Sequence, residues 1–321
     1  MTAAPVLRLA ADPYPDDDAR WAACLARDAR AEGAFWVCVA TTGVYCRPTC
    51  AGRPLRKNVT FVRARREAER AGYRPCKRCR PERHVAGPVS HRIADVDWAR
   101  VEAGLDVEGW AGLGALLSKA ECRMLIEAYD DEARYRSRVV MARHGFGRGE
   151  YRYYADPAPE PIAGLRAQLY PRLAAIAEKW AEAAGAPRRY PRDHEAYRRA
   201  CAAKGQTRPT PLILKYGPGG HNRLHQDLYG EEVFPIQVVV LLSEPGRDFE
   251  GGAFVLTEQR PRMQTRVEVV PLRRGEAVAF AVNDRPVAGK RGVHRARMRH
   301  GVASVTAGAR YALGIIFHDA G

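Results

Sequence analysis

The 321-residue chain has no run of eighteen apolar residues, so no membrane-spanning helix is expected. Its opening, MTAAPVLRLAADPYPDDD, has neither a basic start nor an apolar stretch of leader length. No secretory signal is therefore expected, and the cytoplasm is the expected compartment. Internal repeats and low-complexity tracts are also missing. With 46% hydrophobic residues, the composition does not suggest disorder, and the length suits one large core or an ordinary domain plus a small one. A disulfide framework is missing too. Of the eight cysteines, Cys46, Cys50, Cys76 and Cys79 cluster, while Cys24, Cys38, Cys122 and Cys201 are scattered among helical or apolar neighbours. In a cytosolic chain such a cluster means a metal site or reactive thiols.

Acidic residues are scarce where basic ones crowd. Between Cys46 and Arg83 stand 13 Lys/Arg against 3 Glu, a local +10 out of a total of +15. A compact basic patch beside a metal motif is the electrostatic footprint of a phosphate backbone, so nucleic acid is the expected partner. The plainer alternative is a solvated face of an Arg-rich protein.

Two regions with different textures follow one another. In the first, residues 19–31 read as a short amphipathic helix. Residues 35–45 (FWVCVATTGVY) read as a strand entering a turn, and NVTFV (58–62) as a second strand. RARREAERAG is a helix closed by Gly72, and the unit ends near His84. HVAGPVS looks like a linker, which gives domains of 1–84 and 85–321. In the second region, residues 112–130 and 160–185 carry helical periodicity, separated by the polar Arg/Tyr-rich stretch 134–154. From Pro211 the chain turns to short strands: PLILKY, IQVVVLL, AFVL, RVEVV, EAVAFAV and RYALGIIF. Helices followed by many short strands predict an α+β protein. Its small zinc-bound N-terminal α+β domain precedes a double-stranded β-helix, or jelly roll, with flanking helices.

The cysteine spacing is Cys46-x3-Cys50-x25-Cys76-x2-Cys79. Two close pairs of thiolates match tetrahedral Zn(II). A domain of this size has a thin core that a structural metal would stabilise. By spacing alone, a purely structural zinc knuckle is the favoured reading. The segments TTGVYCRPTC, NVTF and AGYRPCKRC, however, resemble the metal-binding domain of the Ada DNA-repair protein over roughly residues 19–83. That resemblance implies that the four cysteines hold zinc. It also implies that Cys46, in TTGVYC, is a nucleophile taking a methyl group irreversibly from a DNA methylphosphotriester. A zinc-bound thiol is ionised at neutral pH, which makes such chemistry feasible. Arg47, Lys77 and Arg78 are the expected nucleic-acid contacts.

The second motif is LKYGPGGHNRLHQDLYG, with His225-x-Asp227. In a strand, positions i and i+2 share a face, so both side chains can meet one ion. Further on, RHGVASVTAGARYALGIIFH offers His300 and, ten residues later, Arg310. Two histidines and a carboxylate form the facial triad of non-haem iron oxygenases, and an arginine on the next strand can pair with a distal carboxylate. His294, in the basic loop KRGVHRARMRH, rivals His300 as third ligand. His300 is preferred because HGVASVT alternates as a strand. His318 receives no role, and His144 and His221 are expected at the surface. This half, roughly 90–320, resembles the Fe(II)/2-oxoglutarate dioxygenases, nearest their prolyl-hydroxylase-like group and a bacterial branch suspected of acting on nucleic acid. The resemblance implies Fe(II), 2-oxoglutarate and O2 as cofactors, Tyr216 against 2-oxoglutarate, and Gly251 and Gly252 in the turn before the next strand. The RxxxxxR ending of AlkB-type dealkylases is absent, so their substrates do not carry over.

Three functions follow. The first is an oxidative demethylase or hydroxylase of modified nucleic acid, working in DNA repair as a monomer. The zinc domain would then bind DNA and take methyl groups as a methyltransferase. Arg- and Tyr-rich stretches at 134–154 and 290–299 would give phosphate and stacking contacts. The second is a prolyl-type protein hydroxylase tethered to DNA. The third is a DNA-binding methyl sensor with a degenerate barrel, which the intact His225, Asp227, His300 and Arg310 disfavour.

Overall fold

The computed structural model describes residues 12–81, 87–289 and 292–321. The opening eleven residues, the expected domain boundary at 84/85, and Lys290 and Arg291 of the basic loop lie outside the described residues. The chain divides into two compact units, Met1–Asp95 and Val96–Gly321.

The first unit begins with the helix Asp17–Ala26, opened by the Asp16 carboxylate, which accepts from the Ala19 amide. A four-stranded sheet follows in the order Val59–Val62, Trp36–Val39, Val44–Cys46 and Arg74–Pro75, the last pair running parallel. The reading of residues 35–45 as one strand and turn resolves into two strands. The helix Arg65–Arg70 ends beside Gly72, at φ +85°. Phe35 is fully buried, with the rings of Tyr14 and Phe61 edge-on to it at 5.5 and 5.4 Å. So small a core leaves room for a metal to contribute stability.

The second unit is built on two facing antiparallel sheets. The larger runs Trp110–Ala115, Glu276–Ala281, Ile236–Leu241, Arg310–Ile315, Leu212–Tyr216, Glu150–Tyr154 and Tyr135–Val140. The smaller runs Arg266–Val270, Phe254–Gln259, Gly292–Val302, His221–His225 and Gly147–Arg148, and Asp284–Gly289 also pairs with Gly292–Val302. Residues from both sheets line one cavity, the arrangement of a jelly roll. The 22-residue helix Ile162–Ala183 buries ten side chains. One is Arg166, whose guanidinium donates to the carbonyls of Ile316 and Phe317 and to the Asp319 carboxylate at 2.6 Å. That buried pair fastens the helix to the chain just beyond the strand Arg310–Ile315.

Several expectations are corrected. Residues 112–130 are not one helix: Trp110–Ala115 is a strand, and only Lys119–Glu127, opened by a Ser118/Glu121 capping box, is helical. Leu113, Leu116 and Leu117 imitate helical spacing, but pairing with Glu276–Ala281 decides the outcome. The Arg/Tyr-rich stretch is not a polar separator but three strands. Its arginines lie on its own aromatics, Arg136 over Tyr153 at 4.3 Å and Arg152 over Tyr129 at 4.5 Å. The basic loop at 290–299 is largely the strand Gly292–Val302, with Ala296, Met298 and His300 inward and Arg295, Arg297 and Arg299 outward. Part of the expected linker begins the helix Val89–Ala94, and the helices Trp98–Glu108 and His194–Ala203 were not anticipated.

Candidate functional site

Cys46 closes the strand Val44–Cys46, and Cys76 and Cys79 follow the strand Arg74–Pro75 that runs parallel beside it. The Cys76 amide donates to the Tyr45 carbonyl at 3.0 Å, which locks the two ends together. The pairing collects all four sulfurs, Cys50 included, within 4.8 Å of one another. The Cys46 thiol donates to Cys79 and pulls the pKa of that thiol down to about 5, and the Arg47 amide adds a contact at 3.4 Å. Four sulfurs at this spacing are a donor set for zinc. A groove of about 850 Å³ runs past Cys46 and Cys50 and is lined by Arg53, Arg74, Lys77 and Arg78. Lys77 and Arg78 are exposed, whereas Arg47 is turned to Glu32 at 3.7 Å.

In the second unit, His225 and His300 are cross-strand partners, with ring centroids 4.2 Å apart. The pleat does not supply the third donor as expected. The strand ends at His225, and Asp227 enters from the segment after it. Asp227 stands 3.6 Å from His225 Nε2 and 3.3 Å from His300 Nε2, and the ligating atoms of all three lie within 4.8 Å. The Tyr229 hydroxyl donates to Asp227 Oδ1 at 2.7 Å and fixes the carboxylate. Burial works against the Asp227 charge, but the hydrogen bond from His300 and the two imidazoles outweigh it and hold its pKa below the usual range. Burial and the neighbouring His300 lower the pKa of His225, so its imidazole is neutral at physiological pH. The Nδ1 of His225 meets the Arg223 carbonyl at 2.7 Å, which leaves Nε2 free to face the shared point. His294 is on the same strand as His300 but six residues away, roughly 20 Å at strand rise. It pairs with Val287 and cannot share the point.

Arg310 opens the strand beside Leu212–Tyr216, directly across from Tyr216. It is 2% exposed, its Nε has no hydrogen-bond partner, and among the described residues it forms no ion pair. Burial pulls its pKa down to about 10. The guanidinium lies 5.6 Å from the ring of Tyr216 and 5.9 Å from that of Phe249. Tyr216 is fully buried, with Asn222 beside its hydroxyl. Gly252, at φ +59°, makes room: a Cβ there would stand 2.9 Å from Arg310 Cδ. Arg310, Tyr216 and the three donors all line one cavity of about 380 Å³. A buried cation facing two imidazoles and a carboxylate suits a divalent metal that binds an organic dianion, one end on the metal and the other on the arginine.

Tyr229 was not foreseen as part of the site, although its position two residues past Asp227 was a readable signal. His318 is fully buried. Its Nδ1 accepts from the Phe234 amide, and its ring packs 5.9 Å from that of Tyr229, behind the site. His144 is exposed and stacks on Phe146, and His221 is partly exposed.

The facing sheets hold three possible metal donors opposite a buried arginine, an arrangement that suits an oxygenase using a metal and a dicarboxylate. A family described as "Oxygenase, catalysing oxidative methylation of damaged DNA" matches residues 149–320, over half of the chain, and the chain belongs to that family. Residues 19–82 match the metal-binding domain of Ada. An uncharacterized protein of Mycobacterium tuberculosis is 46% identical over 164 residues, 51% of this chain and 70% of that protein. The bifunctional transcriptional activator/DNA repair enzyme Ada of Escherichia coli is 49% identical over 84 residues, 26% of this chain and 23% of that one. A Pseudomonas putida prolyl-4-hydroxylase structure is similar at 17% identity and a TM-score of 0.39, over 70% of this chain and 100% of that one.

Proposed function

We propose that His225, Asp227 and His300 hold Fe(II), that Arg310 and Tyr216 hold 2-oxoglutarate, and that the enzyme oxidises a C–H bond on alkylated or otherwise modified nucleic acid, DNA first. The observation that carries this reading is Arg310. A fully buried guanidinium without an anion is costly, and it faces the cavity that the metal donors face. Fe(II) held there would supply, with O2 and 2-oxoglutarate, the oxidation of a C–H bond to C–OH, with succinate and CO2 as coproducts. The chain's own part is placement. Arg310 and Tyr216 bind the distal carboxylate, Tyr229 fixes Asp227, and the Arg223 carbonyl sets the His225 tautomer. An N-hydroxymethyl product would shed formaldehyde and leave the free base. A base in a duplex must first be flipped into the cavity.

The first unit supplies DNA contact through Lys77, Arg78 and the basic groove, with Arg47 anchored to Glu32 at its edge. Zinc on Cys46, Cys50, Cys76 and Cys79 would leave Cys46 ionised. Its sulfur then attacks the methyl carbon of a phosphotriester: an S–C bond forms, the C–O bond breaks, and the phosphodiester anion leaves. Four metal-holding thiols belong in a reducing compartment, which supports the cytoplasm. The test is succinate formation by anaerobically reconstituted protein against methylated oligonucleotides and prolyl peptides. Turnover stimulated by peptides and not by oligonucleotides would overturn the substrate assignment.

A further inference from the structure

The strand Ile236–Leu241, IQVVVL, is buried at every position, and Gln237 is its one polar residue. Gln237 is 5% exposed, its Oε1 has no hydrogen-bond partner, and none of its side-chain atoms bonds to a described residue. Buried amides in folded proteins are nearly always paired. A leucine or valine here would continue the strand and avoid the unsatisfied group. The exception therefore points to a ligand.

The surroundings narrow that ligand. Gln237 lines the cavity of the metal donors. Its cross-strand partner is Phe280, whose ring lies 4.8 Å from that of His300. Arg310 is far off along the same sheet. Leu241 pairs with Ala312 and Val238 with Ile315, so about six residues of ladder, roughly 20 Å, separate Gln237 from the arginine. A molecule as short as 2-oxoglutarate, anchored on Arg310, spans only part of that ladder. Toward the Gln237 end the wall includes Leu212, paired with Gly314, and Tyr229, whose ring lies 5.9 Å from that of His318, an apolar and a flat surface against which a heterocycle stacks.

We infer that Gln237 reads the polar edge of the substrate, and that the substrate is a base with an exocyclic amino group beside a ring nitrogen, of the adenine or cytosine type. This rests on the nucleic-acid reading above. An amide presents a donor and an acceptor side by side. That pair complements an amino group next to an imine nitrogen, as when glutamine binds adenine through N6 and N7, whereas guanine or thymine methylated on the lactam nitrogen has lost the N–H of its pairing edge. Gln237 is thus a specificity-determining residue at the substrate end, as Arg310 is the anchor at the cosubstrate end.

The test uses full-length protein loaded with Fe(II) and Zn(II), and oligonucleotides carrying one methylated adenine, cytosine, guanine or thymine. The wild type should favour the adenine or cytosine substrates. Gln237→Met should lower kcat/KM on those about 10- to 100-fold and narrow the gap to the other bases. Its iron content and KM for 2-oxoglutarate should not change, and its Tm should not fall, because an unpaired buried amide has been removed. Should that variant fail to fold, Gln237→Asn, which withdraws the amide by one methylene, carries the same comparison. Equal loss on all four bases, or a raised KM for 2-oxoglutarate with base preference intact, overturns the assignment of Gln237 alone. If 2-oxoglutarate is consumed and no oligonucleotide is oxidised, the nucleic-acid reading fails, and the inference falls with it.

Discussion

Replacing Arg310 separates two effects of opposite sign. Its guanidinium is buried at 2% exposure with no carboxylate among the described residues to meet it, so without a bound anion it opposes folding. Arg310→Met keeps much of the volume and removes the charge, so the free protein should melt at the same temperature or higher. With cosubstrate the sign reverses. A buried carboxylate left without its cation costs about 3–5 kcal/mol. At about 1.4 kcal/mol per decade, that is a rise of roughly two to three and a half decades in the KM for 2-oxoglutarate. Iron content should stay normal, since Arg310 is no donor. The assay is a thermal shift with and without 2-oxoglutarate under anaerobic Fe(II). Wild type at about 100 times Kd should gain near 2.7 kcal/mol of stability, and the variant almost none. A variant that is destabilised when free yet keeps the full shift would refute the argument, because Arg310 would then be a structural cation and the carboxylate would bind elsewhere.

Other outcomes follow from the same geometry. His300→Ala should lose iron by metal analysis while His294→Ala, some 20 Å along the strand, should not; the reverse pattern would reassign the third ligand. Cys79→Ser should lose zinc and unfold the first unit without changing iron content, and concurrent iron loss would defeat the two-centre scheme. Incubation of zinc-loaded protein with methylphosphotriester DNA should add one methyl to the peptide containing Cys46, read by mass spectrometry, and an unmodified peptide would leave the cysteines as structural ligands. Burial, aided by Arg166, holds His194 down at about 3, with its Nε2 against the Phe317 carbonyl at 2.9 Å. The unfolded chain takes that proton first as pH falls below about 6.5, so stability is full above this value and declines below it. The loss is about 3 kcal/mol by pH 4, and His194→Gln should flatten the curve measured by denaturant titration.

The two clusters of candidate metal donors were legible because their chemistry is written in spacing. Two cysteine pairs, a His-x-Asp and a late His followed by Arg each imply an ion or an anion without any knowledge of packing. What spacing could not show was how the chain delivers them. Asp227 lies past the end of its strand, and its orientation depends on Tyr229, a hydrogen bond that no periodicity announces. The strands at 135–154 were hidden because arginines that look solvated instead lie on tyrosine rings. The strand carrying His294 and His300 looked like a loop because its outward face is almost all arginine, although its inward positions alternate correctly. Gln237 was invisible among valines and leucines, since only the absence of a partner makes it informative.

The place of Arg310–Ile315 in the larger sheet has a consequence for biosynthesis. This strand sits between Leu212–Tyr216 and Ile236–Leu241, both of which leave the ribosome well before it. The sheet cannot close until its middle member arrives, and Gly292–Val302, bearing His300, emerges only shortly earlier. Nascent chains therefore hold no finished cavity until this strand is made. His300 and Arg310, on opposite walls of that cavity, are thus made almost together.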